Sequence, residues 1–308
     1  MASKYEGLDK EYWHTTMKKD KTSVHCSDGS EVGLVPVYLK KMHSPILHAF
    51  LQESLFLPDV RPGSAKQKFD PKKYCYSESY ENDYALITIQ GIGYLDSVDF
   101  FHFAKIMQIL HNNGTHTLTI KENDLMKECE YEPRDFYETR KQPLRDSLEK
   151  LANIKVKITS KERNPEHGEG YSYMRFSLMP SDSYCAKTKT YHFEFHEGLF
   201  YAYHESKSWQ AIDLELYNQT KVASARILYL FIESKFNRNN KAQKRLNVRR
   251  NVLAERLGYD KRGFATTDIT KGIKNGLDTL IKIGYLSKYY PVPTDRDNPT
   301  YNIYPVRH

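Results

Sequence analysis

The chain has 308 residues, enough for two or three domains of ordinary size, each with its own core. Lys and Arg number 46 against 39 Asp and Glu, a formal +7, and 24 Tyr with 14 Phe exclude a disordered chain. No run of 18 apolar residues occurs and residues 1–22 are polar, so neither a membrane span nor a secretory leader is expected, and Cys26, Cys75, Cys129 and Cys185, with no CxxC pair, fit reduced, isolated thiols better than a disulfide framework or a zinc site. A cytoplasmic protein is expected.

Residues 1–80 read as an N-terminal arm: Lys18, Lys19 and Lys21 form a charge run, and Pro58, Pro62, Gly63, Ser64 and Pro71 punctuate a later stretch. The apolar segment Pro45 to Phe56 predicts a short helix stopped by Pro58. Tyr84 to Gln90 is β-branched and aromatic enough for a strand, turned by Gly91-Ile92-Gly93. Asp96 or Ser97 then caps a helix to His111, with Phe100, Phe103, Met107 and Leu110 on one face.

A short strand from Thr117 to Ile120 and a short helix from Glu122 to Cys129 follow. Thr139-Arg140-Lys141-Gln142 matches a capping box with Pro143 in the first turn, so a helix to about Asn153 is expected. Ile154 to Ser160 and Tyr171 to Met179 alternate as a hairpin around the turn Asn164 to Gly170. Helix, strand, helix, helix, hairpin is the order of a winged helix.

The second half repeats that order. Leu144, Leu148, Leu151 and Ile154 have counterparts 129 positions later in Ile273, Leu277, Leu280 and Ile283. Leu118, Ile120, Leu125 and Tyr131 have theirs 128 positions later in Leu246, Val248, Leu253 and Tyr259. Ile106, Ile109 and Leu110 answer Ile227, Leu230 and Phe231 in a helix from Lys221 to Ser234. Between the repeats lie a strand, Tyr191 to Phe195, and an aromatic connection through Phe200, Tyr201, Tyr203 and Trp209. The fold class is α+β, two tandem winged-helix domains at 81–185 and 186–308 behind the arm.

Charge is local. Lys235 to Lys274 holds twelve Lys and Arg against Glu255, Asp260 and Asp268, a net +9 that leaves the rest of the chain at −2. A basic patch over a helix-turn-helix is the footprint of duplex DNA binding, since each cation that neutralises a phosphate releases a counterion. The bland alternative is a solvated basic face. Docking geometry puts the N-terminal part of the second helix at base edges: Thr266, Thr267, Thr270, Lys271 and Lys274 in the second repeat, and Arg140, Lys141, Gln142 and Arg145 in the first. Lys244, Arg245, Arg249, Arg250, Lys261 and Arg262 are assigned to phosphates, with Lys161 and Arg163 on the first wing and Lys288 on the second.

Catalytic motifs are missing. No GxxxxGK[ST] occurs, and Gly91-Ile92-Gly93 has no third glycine. His192 and His196 flank Glu194 on a strand, with neither the spacing of a metalloprotease helix nor a third ligand beside them. No cofactor, metal or enzymatic activity is expected, and a metal-dependent nuclease rests on these two histidines alone.

Ile87 to Phe100 (ITIQGIGYLDSVDF), Leu148 to Ser160 (LEKLANIKVKITS), Tyr191 to Tyr203 (YHFEFHEGLFYAY) and Tyr217 to Lys235 (YNQTKVASARILYLFIESK) resemble the plasmid replication initiators with tandem winged helices, the TrfA type. Thr220, Ala223 or Ser224, and Arg226 match that family's [ST]-x-x-[AS]-x-x-R pattern, and the likeness spans about residues 84–290. The resemblance implies a non-enzymatic, nucleoid-associated bacterial protein. It would bind direct repeats (iterons) at an origin with both domains, melt adjacent AT-rich DNA, recruit helicase and polymerase components, and be inactive as a homodimer. Gln52-Glu53-Ser54-Leu55-Phe56 is similar to a sliding-clamp-binding pentapeptide in four of five positions, Glu53 departing; Gln52, Leu55 and Phe56 would make the contacts, unless Leu55 and Phe56 dock on the protein itself. A winged-helix repressor and a protein-interaction module are the other readings.

Overall fold

A computed structural model describes residues 95–113, 115–160, 179, 181–195, 209–236, 242–259, 264–293 and 297–306, together with strands at 23–25, 31–33, 43–47, 56–57, 75–81, 85–92 and 173–177. The strands are β1 (Ser23–His25), β2 (Glu31–Gly33), β3 (His43–Leu47), β4 (Phe56–Leu57), β5 (Cys75–Glu81), β6 (Ala85–Ile92), β7 (Leu95–Asp96), β8 (Thr117–Lys121), β9 (Lys155–Ser160), β10 (Tyr173–Ser177), β11 (Ser181–Cys185), β12 (Thr190–Glu194), β13 (Trp209–Asp213), β14 (Leu246–Arg249), β15 (Leu286–Val292) and β16 (Thr300–Pro305). The helices are α1 (Ser97–Asn113), α2 (Glu122–Glu128), α3 (Glu138–Ala152), α4 (Leu214–Gln219), α5 (Ala223–Lys235), α6 (Arg250–Arg256) and α7 (Thr266–Lys282). Among these residues no helix is long and apolar enough to cross a membrane.

The second repeat runs α5, β14, α6, α7, β15, β16, with an antiparallel sheet in the order β14-β16-β15. Period-2 burial on β14 sends Leu246 and Val248 inward, opposite Ile303 and Tyr301. Ile273, Leu277 and Leu280 bury one stripe of α7. Gly276 lets α7 cross α5 closely, because a Cβ there would lie 2.8 Å from Leu228 Cδ1. Gly284, at φ +78, reverses the chain after α7 so that its N–H and that of Tyr285 bond back to Ile281 and Leu280.

The expected repeat is reproduced in burial. Leu144, Leu148 and Leu151 are buried like Ile273, Leu277 and Leu280, and Leu118 and Leu125 like Leu246 and Leu253. Pairing differs. β8, the counterpart of β14, pairs with β12 (Leu118 opposite Phe193), and β12 pairs with β11. The expected hairpin forms as β9 and β10, but β9 joins β6 in a separate sheet, β10-β9-β6-β5. β12 alternates Tyr191 and Phe193 inward with His192 and Glu194 outward, so its apolar face closes the same core.

Two boundaries correct the sequence reading, and a third falls on one of the two residues expected. Pro45 to Leu47, read as helix, extends in β3 alongside β13, and 48–55 lie outside the described residues. α3 begins at Glu138 with Tyr137 as an N-cap making no side-chain bond, so Thr139 is not the cap and Pro143 falls in the second turn. The capping box lies upstream, in the 3-10 turn Pro133–Asp135, where Asp135 accepts from the Glu132 N–H at 3.2 Å. The cap of α1 is Asp96, which accepts from the N–H groups of Val98 and Asp99 at 2.7 and 3.0 Å.

One core runs through both repeats. Its centre is a chain of rings: Phe56 on Phe100 (centroids 5.0 Å), Phe100 on Tyr217 (5.1 Å), Tyr217 beside Tyr229 (6.3 Å) and Tyr229 edge-on to Tyr285 (4.8 Å). Tyr217 is fully buried and donates to the Ser97 carbonyl at 2.6 Å, tying α4 to the start of α1. A polar bridge runs beside the rings. Glu130 pairs with Lys105 at 3.2 Å and accepts from Asn218, whose side-chain oxygen accepts from Arg226 at 3.5 Å; Arg226 also donates to the Thr220 carbonyl at 2.7 Å. Glu130 holds φ 63, a left-handed conformation costly for a side-chain-bearing residue, at the place where the second repeat has Gly258 at φ 61. Its two partners show why a glycine would not serve there.

Burial also fixes protonation. His102 and His111 are held neutral, their pKa values lowered to about 4 by burial, while burial raises Asp99 to about 6 against the pull of Lys150, 3.0 Å away. The imidazoles lose stability as pH falls from 6.5 toward 4, because the unfolded chain takes up protons first; Asp99 works in the opposite sense between about 6 and 4. Two groups outweigh one, so urea midpoints are expected to fall between pH 7 and pH 5. His111→Gln should flatten that dependence, and an unchanged slope would contradict it.

Candidate nucleic-acid interface

In the second repeat Thr266 and Thr267 are exposed at the start of α7, and Thr270 turns its hydroxyl onto the Thr266 carbonyl at 2.9 Å. Lys271 and Lys274 are exposed, and neither has an ion-pair or hydrogen-bond partner among the described residues. They line a shallow concavity of about 450 Å³ together with Asp268, Gly272, Asn275 and Asp278. Asn275 escaped the sequence reading, although its place one residue after Lys274 on an amphipathic helix was the available signal; its amide is suited to an adenine edge.

The expected phosphate contacts divide. Lys244 and Arg249 are exposed. Arg250, at the start of α6, donates to the Asp297 carbonyl in the β15–β16 connection. Arg245 donates to the Tyr304 hydroxyl at 3.4 Å, and Lys288 lies over the Tyr304 ring at 5.0 Å. The Tyr290 and Tyr304 hydroxyls share a 2.6 Å hydrogen bond, and the bonds from Tyr290 and Arg245 pull the Tyr304 phenol below its ordinary range. Neither tyrosine was anticipated. Lys161, Arg163, Lys261 and Arg262 lie outside the described residues, as do Gln52, Leu55 and His196.

The first repeat arranges the corresponding side chains in another way. Lys141, expected at a base edge, is 2% exposed and paired with Glu122 at 3.0 Å and Glu138 at 3.2 Å. Arg145, 30% exposed, holds Glu122 with two bonds of 2.8 and 3.1 Å and reaches Glu138 at 3.0 Å. Gln142 is exposed but donates to Asp146 at 2.7 Å, and Arg140 stands on α3. Burial works to raise the Glu122 carboxyl, but hydrogen bonds and charge from Arg145 and Lys141 hold it below the usual carboxylate range. Arg145 in turn is held above its ordinary value, chiefly by Glu122.

Over matched stretches the balance reverses. Residues 117–153 carry seven Lys and Arg against nine Asp and Glu, and residues 245–282 nine against four. Phe56, assigned to a clamp pocket, instead fills one in its own chain, buried against Phe100 beside β7. His192 hydrogen-bonds Thr119 at 2.9 Å, and no cluster of three metal-ligating side chains occurs among the described residues.

No family model matches the chain, and no curated protein matches it. Among solved structures, a selenomethionine crystal structure of domains 2 and 3 of RctB is similar over 84% of this chain and 98% of that one, with 10% identity and a TM-score of 0.52. A second structure, RctB residues 155–483, covers 84% and 96% with 10% identity and a TM-score of 0.49. At that identity the first likeness shows the fold: an α+β chain of small antiparallel sheets and helices in the arrangement of two RctB domains.

Proposed function

We propose that the chain is a replication initiator that binds duplex DNA sequence-specifically through its second repeat. The observation that carries this reading is the pair of cations, Lys271 and Lys274, exposed on the front of α7 within the basic segment and without partners among the described residues. Support for initiation rather than another DNA-linked role comes from the fold shared with domains of RctB, a bacterial replication initiator of Vibrio chromosome II.

The protein acts without catalysis. Base-edge contacts from α7 and phosphate contacts from Lys244, Arg249 and Lys288 place it on direct repeats at an origin, and deformation of the bound duplex opens adjacent AT-rich DNA. Recruitment of the host helicase in the cytoplasm, and silencing by dimerisation, belong to the same reading. Clamp binding through Phe56 would require β4 to leave the core.

Footprinting on DNA flanking the gene tests the proposal. Protected repeats about two helical turns apart, with hypersensitivity in an AT-rich neighbour, are expected. A single protected operator without opening would make the protein a repressor, and absent or salt-independent DNA binding would favour an interaction module.

A further inference from the structure

We infer that Glu122 withdraws the recognition helix of the first repeat from base readout, so that DNA sequence is read by α7 alone. This rests on the DNA-binding reading above and specifies which repeat does the reading. Duplication would lead one to expect two equivalent readers.

Glu122 stands among several counter-charges and donors. Its carboxylate, at the first position of α2, is fully buried and collects Lys141 at 3.0 Å, Arg145 at 2.8 and 3.1 Å, and the hydroxyls of Tyr191 and Tyr184 at 3.3 and 3.4 Å. Glu138 closes the cluster from the front of α3, reaching Lys141, Arg145 and Lys189. Arg145 also lies 5.8 Å over the Tyr184 ring. Three elements, α2, α3 and the β11–β12 hairpin, are thereby tied through one carboxylate.

Moving Lys141 or Arg145 to a base edge would leave a buried carboxylate short of its counter-charge, a larger penalty than one base contact returns. Acids also stand outside on α3. Glu138, Asp146 and Glu149 are exposed and would face phosphates with like charge. Position for position, Glu122 corresponds to Arg250, Lys141 to Thr270 and Arg145 to Lys274. In the second repeat no carboxylate stands at the start of α6, and Lys274 stays exposed. One acid in place of a base separates a helix that holds its own repeat together from one that is open to a ligand. Glu122 is thus a positioning residue.

The test uses the full chain and a duplex enriched from a random-sequence pool by the wild-type protein. Affinity, base preference and the salt dependence of binding are measured for Arg145→Gln, Gln142→Ala and Lys274→Gln. Arg145→Gln and Gln142→Ala should stay within about twofold of wild type with unchanged base preference, while Lys274→Gln loses about tenfold or more. Glu122→Gln weakens the grip on Arg145 and should steepen the salt slope, by about 0.9 for each phosphate gained. A tenfold loss with altered base preference in Gln142→Ala, or in Arg145→Gln at wild-type melting temperature, would overturn the inference. Gln142→Ala decides the matter if Arg145→Gln does not fold, since Gln142 lies on the surface outside the buried cluster. Failure of the wild type to enrich any duplex would remove the DNA-binding reading itself, a result distinct from either outcome.

Discussion

Replacing Lys271 and Lys274 together by alanine should abolish sequence-specific DNA binding at physiological salt while leaving the fold intact. Both side chains are exposed on the face of α7 opposite its buried stripe, so neither supports the core. A well-made base contact is worth about 1–3 kcal/mol, and two lost together correspond to at least about thirtyfold in affinity. The salt dependence should flatten by about 0.9 for each contact that proves to be with a phosphate. Titrations of a fluorescent duplex across a salt series, paired with thermal melts, check both halves. Arg140→Ala on α3 is the control, and an equal loss there would dissolve the ranking of the two repeats.

The largest effect on stability should come from Tyr217→Ala. Tyr217 touches Phe100, Phe101 and Tyr229 and donates to Ser97, so its removal opens a cavity where the two repeats meet. Truncating a buried aromatic side chain to alanine costs about 3–5 kcal/mol, a large share of the stability of most domains. Denaturation followed separately by far-ultraviolet dichroism and by tyrosine absorbance should coincide in the wild type and part in the variant, with the polar bridge through Glu130 left as the main tie. Tyr217→Phe keeps the rings and forfeits one hydrogen bond, a loss of about 1 kcal/mol, which separates packing from polar anchoring.

Helix faces were legible in the sequence because 3.6-residue periodicity is local. The stripe Ile273, Leu277, Leu280 and its counterpart in α3 could be read without knowing what they pack against. Strand partners were not, since pairing joins distant segments: nothing around Thr117 says that it meets β12 rather than the nearer hairpin. The start of α3 was displaced by two residues, from Tyr137 to Thr139 as the cap, because a plausible box at Thr139 follows a real one at Glu132. The Glu122 cluster was hidden for the same nonlocal reason, its members lying 16 to 69 positions away. A signal existed in the comparison of the repeats, where Glu122 stands opposite Arg250. Charge totals taken over windows passed it by, because they count Lys141 and Arg145 without asking whether another charge already holds them.

The opposed charge of the two repeats bears on how the protein reaches DNA as well as on what it reads. A molecule with a net surplus of five positive charges over one helix-turn-helix and a deficit of two over its counterpart is a strong electric dipole. In the field of a polyanion it experiences a torque before any contact forms, and arrives with the second repeat leading. Encounters are then productive more often than random tumbling allows, and raising the ionic strength slows arrival by shortening the reach of that field.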